Sequence, residues 1–165
     1  MGSWRNGIAP AWHAGDFGFE SRRVHSELNG DIVADDCIFC KIAKGELNAV
    51  KIWEDDEVLA ILDLFPTTKG KTLVLTKKHY DSDLFDIPED VYQRLWLASR
   101  KVAKYLEKGL DANRIAVIVE GLEVNHVHIK LNPLYGGPLS TRLGPKAKTG
   151  ELERIAEEIK EKNML

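Results

Sequence analysis

Nitrogen-bearing side chains alternate along residues 125–133, whose sequence is NHVHIKLNP. In a β-strand, side chains two residues apart point to one face at a spacing of roughly 6–7 Å. His126, His128 and Lys130 would therefore line one face, and the apolar residues between them would enter the core: Val127, Ile129 and Leu131. Alternation is also typical of a solvent-exposed sheet face, but two of only five histidines at this spacing favour a reactive site.

Histidine in this setting suits attack on phosphorus. Neutral imidazole, the nucleophilic form, dominates above a pKa of about 6.5. A neighbouring cation such as Lys130 can stabilise phosphoryl oxygens as charge shifts during attack. A covalent phosphohistidine would divide one difficult displacement into two easier steps.

Cys37 and Cys40 form a second feature with chemical potential. A separation of two residues is half of a zinc site by spacing, and it also suits a redox pair. No thioredoxin-like βαβ pattern surrounds the cysteines, which disfavours the redox interpretation. Two cysteines do not make a disulfide framework, so the sequence indicates a reducing, cytoplasmic compartment.

The elements that must position these residues alternate between short strands and helices. The pattern predicts strands at 50–55, 57–64, 71–76, 114–120 and 124–131, and a short helix beside the cysteines. A long helix would begin at a capping box of Asp86 and Glu89 and stop at Gly109, and a last helix would cover 150–163. We expect an α+β fold with a five-stranded, mostly antiparallel sheet.

Length and composition define the domain organisation. Residues 1–34 lack periodicity and are interpreted as a flexible or tag-like extension, although Trp4, Trp12 and Phe17 could instead dock on the domain at 35–165. The net charge of −3 provides no basic face for nucleic acid. No run of 18 apolar residues is present, so no membrane span is expected. A small phosphate-bearing ligand is compatible with this net charge, because it needs only one or two local cations.

Several segments, in order, resemble the histidine triad (HIT) family: CIFCKI, WEDDEVLAILDLFPTTKGKTLVLTKKH and GLEVNHVHIKLNP. The resemblance covers residues 36–133 and implies a HIT-like fold for the domain. It further implies a homodimer that hydrolyses or transfers nucleoside phosphates joined to amines, nucleotides or sugars. A nucleotide small molecule would be the ligand.

Site roles follow from the resemblance by position. His128 matches the nucleophile, and Asp63 matches the acidic residue that binds the ribose hydroxyls. The positions that sandwich the base are apolar: Phe39, Ile42, Ile61 and Leu64. Ordinary core packing is the alternative role for those four side chains.

The sequence departs from the family pattern at two places. Lys130 replaces the third histidine and would hold an anion more readily than relay protons, because its pKa is normally about 10.4. Upstream, Leu122 and Glu123 replace polar residues that bind the phosphate or leaving group. Glu123 would either pair with Lys130 or select a cationic leaving group.

The resemblance also implies a structural zinc site, since some family members bind zinc through the cysteine pair and two histidines. His79 and His126 stand at the histidine positions and complete a Cys2His2 set with Cys37 and Cys40. The alternative is a pair of reduced thiols packed against the sheet.

Three functions compete at this point. The leading hypothesis is an enzyme in which His128 attacks the α-phosphorus of a nucleotide conjugate and Lys130 steadies the phosphoryl oxygens. A nucleotide-binding or sensing module without turnover is the second, motivated by Leu122, Glu123 and Lys130. A zinc-held scaffold without a ligand is the third.

Overall fold

A computed structural model describes residues 36–164, and the predictions made for residues 1–34 lie outside this range. Within it, helices and strands follow in the order α1 (Ile38–Lys44), β1 (Lys51–Glu54), β2 (Val58–Leu62), β3 (Thr72–Thr76), α2 (Glu89–Leu110), β4 (Arg114–Ile118), β5 (His128–Leu134) and α3 (Glu151–Met164).

The strands form one five-stranded sheet in the order β1-β2-β3-β5-β4, and every neighbouring pair is antiparallel. The predicted α+β fold is thereby confirmed. The long helix α2 connects β3 to the edge strand β4, and β5 returns between these two strands. In this register Leu75 of β3 is opposite His128, and Ile118 of β4 is opposite Lys130.

Alternation along the strands gives the sheet two different faces. One face is covered by α2 and α3, and Val74 and Ile129 of this face are buried in one core cluster with Leu95 of α2. The apolar residues predicted to enter the core from β5 and the residue before it belong to this face: Val127, Ile129 and Leu131. On the opposite face, a smaller cluster joins α1 to β2 and β3 through Phe39, Leu59 and Leu75. His128 and Lys130 are buried on that second face.

The strand that carries the histidines begins later than its sequence pattern indicates. β5 starts at His128 rather than at residue 124 and extends to Leu134. The backbone N–H of Val127 donates to the carbonyl of Tyr80, which lies in a loop rather than in β3. His126 therefore belongs to the segment that approaches the strand, and residues 119–127 form a connection longer than the three residues, 121–123, predicted between the last two strands.

The two ends of the long helix α2 differ from those that the sequence predicts. Pro88 is the N-cap residue and no side chain caps α2, so the predicted Asp86–Glu89 capping box is wrong. The helix passes through Gly109 and ends at Leu110, with Asp111 in the left-handed conformation at φ 52°. Gly109 is instead a contact point with α3. Among residues 36–164, no helix combines the length and the apolar character that a membrane span requires.

Candidate active site and metal-ligand cluster

His128 is buried at the start of β5 with its imidazole held by the backbone. Its Nδ1 lies 2.8 Å from the carbonyl oxygen of His126. Because a carbonyl only accepts hydrogen bonds, Nδ1 carries the proton, and the lone pair of neutral His128 lies on Nε2. Burial lowers the pKa of His128, an effect larger than the opposing effect of that hydrogen bond. The Phe39 ring packs against the imidazole at a centroid distance of 5.2 Å and fixes its position further.

A cavity of about 920 Å³ opens beside His128 on the α1 face of the sheet. Its wall includes all of the residues predicted for catalysis or substrate binding: Phe39, Ile42, Ile61, Asp63, Leu64, Glu123, His128 and Lys130. Phe39, Ile42 and Ile61 are buried members of the small apolar cluster, whereas Leu64 is 45% exposed at the cavity. The apolar side chains thus serve packing and line the cavity at once.

Asp63 lies directly after β2 and is engaged at both carboxylate oxygens. Oδ2 is 2.8 Å from Nζ of Lys71, and Oδ1 accepts the backbone N–H of Phe65 at 2.8 Å. Both members of the ion pair are buried. A carboxylate offers about four lone-pair positions, so Asp63 keeps acceptor capacity toward the cavity.

Lys130 stands two residues after His128 and is bound by two carboxylates. Its Nζ donates to Oε1 of Glu120 and, at 3.0 Å, to Oε2 of Glu123. Burial acts to lower the pKa of Lys130, but the hydrogen bonds and charges of the two glutamates together raise it above its usual value. The pairing of Glu123 with Lys130, one of the two roles considered for Glu123, is present. The Leu122 side chain is 85% exposed.

The residues predicted to bind a metal meet at one place: Cys37, Cys40, His79 and His126. One potential ligand atom from each residue lies within 4.8 Å of all the others, so the group could hold a metal ion. Nδ1 of His126 is 3.4 Å from Sγ of Cys37 and 3.6 Å from Sγ of Cys40. Nδ1 of His79 is 3.4 Å from Sγ of Cys40.

The hydrogen bonds of His126 orient its lone pair toward the thiols. Its Nε2 is 2.8 Å from the carbonyl oxygen of Thr76, so Nε2 carries the proton and the lone pair lies on Nδ1. Burial, the largest cause, lowers the pKa of His126 to about 4. A neutral imidazole with Nδ1 directed at two sulfur atoms is the form that a metal ion binds.

The loop that carries Glu120 and Glu123 is braced against residues 81–82. Asn125 accepts the backbone N–H of Ser82 at 3.0 Å and donates to Asp81 at 2.8 Å. Gly121 adopts φ 64°, and a Cβ there would lie 2.7 Å from the carbonyl oxygen of Ser82. This close approach requires glycine.

Several contributors to the site were not identified from the sequence. Lys71 forms an ion pair with Asp63, and Glu120 forms one with Lys130. Cross-strand pairing was the only signal for either contact, since Lys71 lies beside Asp63 and Glu120 comes two residues after Ile118, which is opposite Lys130. The segment before α3 adds Leu143 to the cavity wall, and its position carries no sequence signal. Gly144 and Ala147 attach this segment by hydrogen bonds to the carbonyl oxygens of Phe65 and Leu64.

Comparison with known sequences identifies the family. The model of the HIT domain matches residues 44–135. An uncharacterised HIT-like protein of Methanocaldococcus jannaschii is 40% identical over 129 residues, which cover 75% of this chain and 98% of the relative. A protein of Arabidopsis thaliana named adenylylsulfatase HINT3 is 29% identical over 112 residues, or 65% of this chain and 56% of that protein.

Solved structures share the same fold. A hypothetical histidine triad nucleotide-binding protein of Sulfolobus tokodaii matches with a TM-score of 0.69 and 25% identity, covering 76% of this chain and 91% of that one. A zinc-bound histidine triad family protein of Mycobacterium smegmatis matches with a TM-score of 0.66 and 28% identity, covering 79% and 98%. The family model covers more than half of the chain, and the Methanocaldococcus jannaschii relative is covered almost completely, so the chain belongs to the HIT family.

Proposed function

We propose that the chain is a nucleotide hydrolase or nucleotidyltransferase that acts on a nucleoside phosphate conjugate, such as a phosphoramidate or a dinucleoside polyphosphate. The observation that carries the proposal is the state of His128, a buried imidazole with a protonated, carbonyl-bound Nδ1 beside a large cavity. The name of the Arabidopsis relative, an adenylylsulfatase, supports a reaction at a nucleotide phosphate. Adenine is the default base by family resemblance.

The reaction proceeds in two displacements. The Nε2 lone pair of His128 attacks the α-phosphorus, and the bond from phosphorus to the leaving group breaks with its electron pair on the leaving atom, which takes a proton from water. A water molecule then attacks the phosphorus of the nucleotidyl-histidine, the P–N bond breaks with its electron pair on Nε2, and the proton lost by this water neutralises the hydroxide left by the first step. The products are the nucleoside monophosphate and the free leaving group.

The other residues around the cavity bind rather than react. The base would lie against apolar side chains near Phe39, Ile42, Ile61 and Leu64. Asp63 would accept hydrogen bonds from the ribose hydroxyls with its remaining lone pairs. Lys130 would direct its third N–H toward a phosphoryl oxygen, since two of its three donors are taken by glutamates.

Mass spectrometry of the intact protein tests the proposal. After brief mixing with adenosine phosphoramidate or diadenosine polyphosphates, the protein should gain the mass of one nucleotidyl group, and His128→Ala should not. Adenosine monophosphate should then accumulate with the protein that retains His128 and not with the His128→Ala variant. Absence of both the adduct and the monophosphate with every substrate would reject the enzyme.

A nucleotide-binding module without turnover is the second candidate. It is favoured by the two carboxylates on Lys130, which neutralise the cation that would otherwise assist phosphoryl transfer. Calorimetric binding of adenosine monophosphate, together with neither an adduct nor released monophosphate in the mass-spectrometric experiment, would support this candidate over the enzyme.

We further propose that the Cys37, Cys40, His79 and His126 cluster holds a structural zinc ion. Zinc bond lengths of about 2.0–2.3 Å in a tetrahedron place neighbouring sulfur and nitrogen ligands about 3.5 Å apart. The sulfur–nitrogen distances of 3.4, 3.4 and 3.6 Å match that separation. Bound zinc would link the start of α1 to His126, which lies two residues before the proposed nucleophile His128. Metal analysis of the purified protein would show one zinc per chain.

A homodimer is also proposed, on family resemblance. Light scattering at micromolar concentration should then give twice the chain mass of 18.6 kDa. A mass equal to that of a single chain would contradict the proposal. The measurement is independent of turnover and of metal content.

A further inference from the structure

The cluster formed by Glu120, Glu123 and Lys130 has a net charge of −1, although it occupies the position where a phosphate-assisting group is expected. The Lys130 side chain is 5% exposed, whereas those of Glu120 and Glu123 are 28% and 42% exposed. The ammonium is therefore the buried member of the cluster, and the carboxylates are its accessible members. A ligand that approaches Lys130 meets negative charge first.

The rest of the cavity does not offset this charge. Among the described residues that line it, the ionised side chains are Asp63, Glu123, Glu153 and Lys130. Lys71 compensates Asp63 from outside the lining, at 2.8 Å. With Glu120 included, four carboxylates face two ammonium groups. No described lining residue is an arginine, which is the side chain best suited to a polyphosphate.

Such a charge arrangement discriminates between substrates. At a separation of about 6 Å, one pair of unit charges changes an equilibrium constant by roughly 3-fold at an effective dielectric of 80 and roughly 100-fold at 20. Each phosphate added beyond the α-phosphate brings a further negative charge into the cavity. An ammonium on the leaving group would be attracted by the same amount by which such a phosphate is repelled.

We propose that Glu120 and Glu123 select substrates in which a cationic, amine-bearing leaving group is attached to the α-phosphorus, and that they disfavour polyphosphates. The inference rests on the proposed function, because it assigns the leaving group for the attack by His128. Glu123 lines the same cavity as His128, and Asn125 and Gly121 hold its loop against residues 81–82. The two glutamates are thus positioned specificity residues.

The test compares two adenosine 5′-phosphoramidates of equal length with the full chain loaded with zinc. One carries a 5-aminopentyl group on the amide nitrogen and the other a hexyl group, so only the terminal charge differs. We expect kcat/KM to be roughly tenfold higher for the aminopentyl compound at low ionic strength, and the ratio to fall with added salt. Diadenosine tetraphosphate should be the poorest of the three substrates.

Charge-neutral variants assign the effect to the cluster. E123Q changes the cluster from −1 to 0 and should bring the ratio of the two kcat/KM values close to one, and E120Q should act in the same way. E161Q removes a carboxylate from the exposed side of α3, outside the cavity lining, and should leave the ratio unchanged.

Two different failures are distinguishable. Turnover of both phosphoramidates with equal kcat/KM, or an equal loss for both substrates in E123Q without a change in their ratio, would overturn the inference alone. Release of no adenosine monophosphate from any of the three substrates would overturn the proposed function and the inference together.

Discussion

At the residue scale, Asp63 and Lys71 form a buried ion pair at the edge of the cavity, with side chains 9% and 5% exposed. Each charge is tolerated in this position because the other compensates it. We predict that Asp63→Asn lowers the free energy of unfolding by about 3 kcal/mol, because it leaves the Lys71 ammonium buried without a counter-charge. Urea denaturation at neutral pH measures the change.

The double variant Asp63→Asn with Lys71→Met provides the control for this prediction. Removing both charges leaves no uncompensated ion, so the double variant should recover much of the stability that Asp63→Asn loses. Equal stability of Asp63→Asn and the unmodified protein would show that solvent or another group compensates Lys71.

The protonation of His128 leads to a second prediction at this scale. The proposed nucleophile is the neutral imidazole, and burial lowers its pKa below the ordinary value of 6.5. A lowered pKa keeps the nucleophile neutral to more acidic pH, so kcat/KM should remain constant through pH 6.5 and fall only below it. Initial rates with adenosine phosphoramidate give the profile, and metal content at each pH serves as the control. An acid limb with its midpoint at or above 6.5 would contradict the assignment.

At the element scale, α2 and α3 are held in close contact by the absence of a side chain. A Cβ at Gly109 would lie 2.8 Å from Cα and 2.9 Å from Cγ2 of Ile159. Alanine in a helix interior normally stabilises relative to glycine by about 1 kcal/mol. We predict the opposite sign here, a loss of about 1–3 kcal/mol for Gly109→Ala, because the added methyl forces the helices apart.

Chemical denaturation of Gly109→Ala beside Arg100→Ala checks the sign. Arg100 lies on the exposed side of the same helix, so its replacement should change stability by less than about 0.5 kcal/mol. A stabilised Gly109→Ala variant would mean that α3 moves at no cost. The helix pair would then not depend on this contact.

Predictions from the sequence succeed at this scale where periodicity decides the structure. The two-residue period placed Val127, Ile129 and Leu131 in the core, and it placed His128 and Lys130 together on the other face. It could not place the start of β5, because the Val127 N–H bonds to Tyr80 across 47 positions of sequence, which the sequence pattern does not indicate. Local rules likewise assigned Gly109 to a helix end, although contact with α3 explains it.

Ion pairs, too, could be predicted from the sequence only in part. The pairing of Glu123 with Lys130 could be expected from the position of Glu123 near the strand. The pairing of Glu120 with Lys130 and that of Lys71 with Asp63 depend on the strand register. The cavity wall contributed by the segment before α3 depends on Gly144, whose Cβ would lie 1.9 Å from the carbonyl oxygen of Pro66. Such contacts arise from tertiary packing, so composition and periodicity do not predict them.

At the scale of the whole molecule, the proposed zinc site joins segments that are far apart in sequence. Cys37 and His126 approach across a separation of 89 residues, and His79 follows β3 near the middle of that interval. A ligand that binds only the folded chain adds its binding free energy to stability. The metal would therefore connect α1 to the sheet, in addition to the apolar contacts of Phe39, Leu59 and Leu75.

We predict that removal of the metal with a chelator lowers Tm by about 10 °C. A ligand present at about a thousandfold excess over its dissociation constant stabilises the folded chain by about 4 kcal/mol, and a loss of this size corresponds to that change in Tm. Differential scanning calorimetry with and without the chelator measures the shift. Cys37→Ser lacks one ligand, so it should show the lower Tm from the start and should not respond to the chelator. If the chelated protein keeps its Tm although mass spectrometry shows that the metal is gone, the apolar contacts of α1 are sufficient to hold it on the sheet.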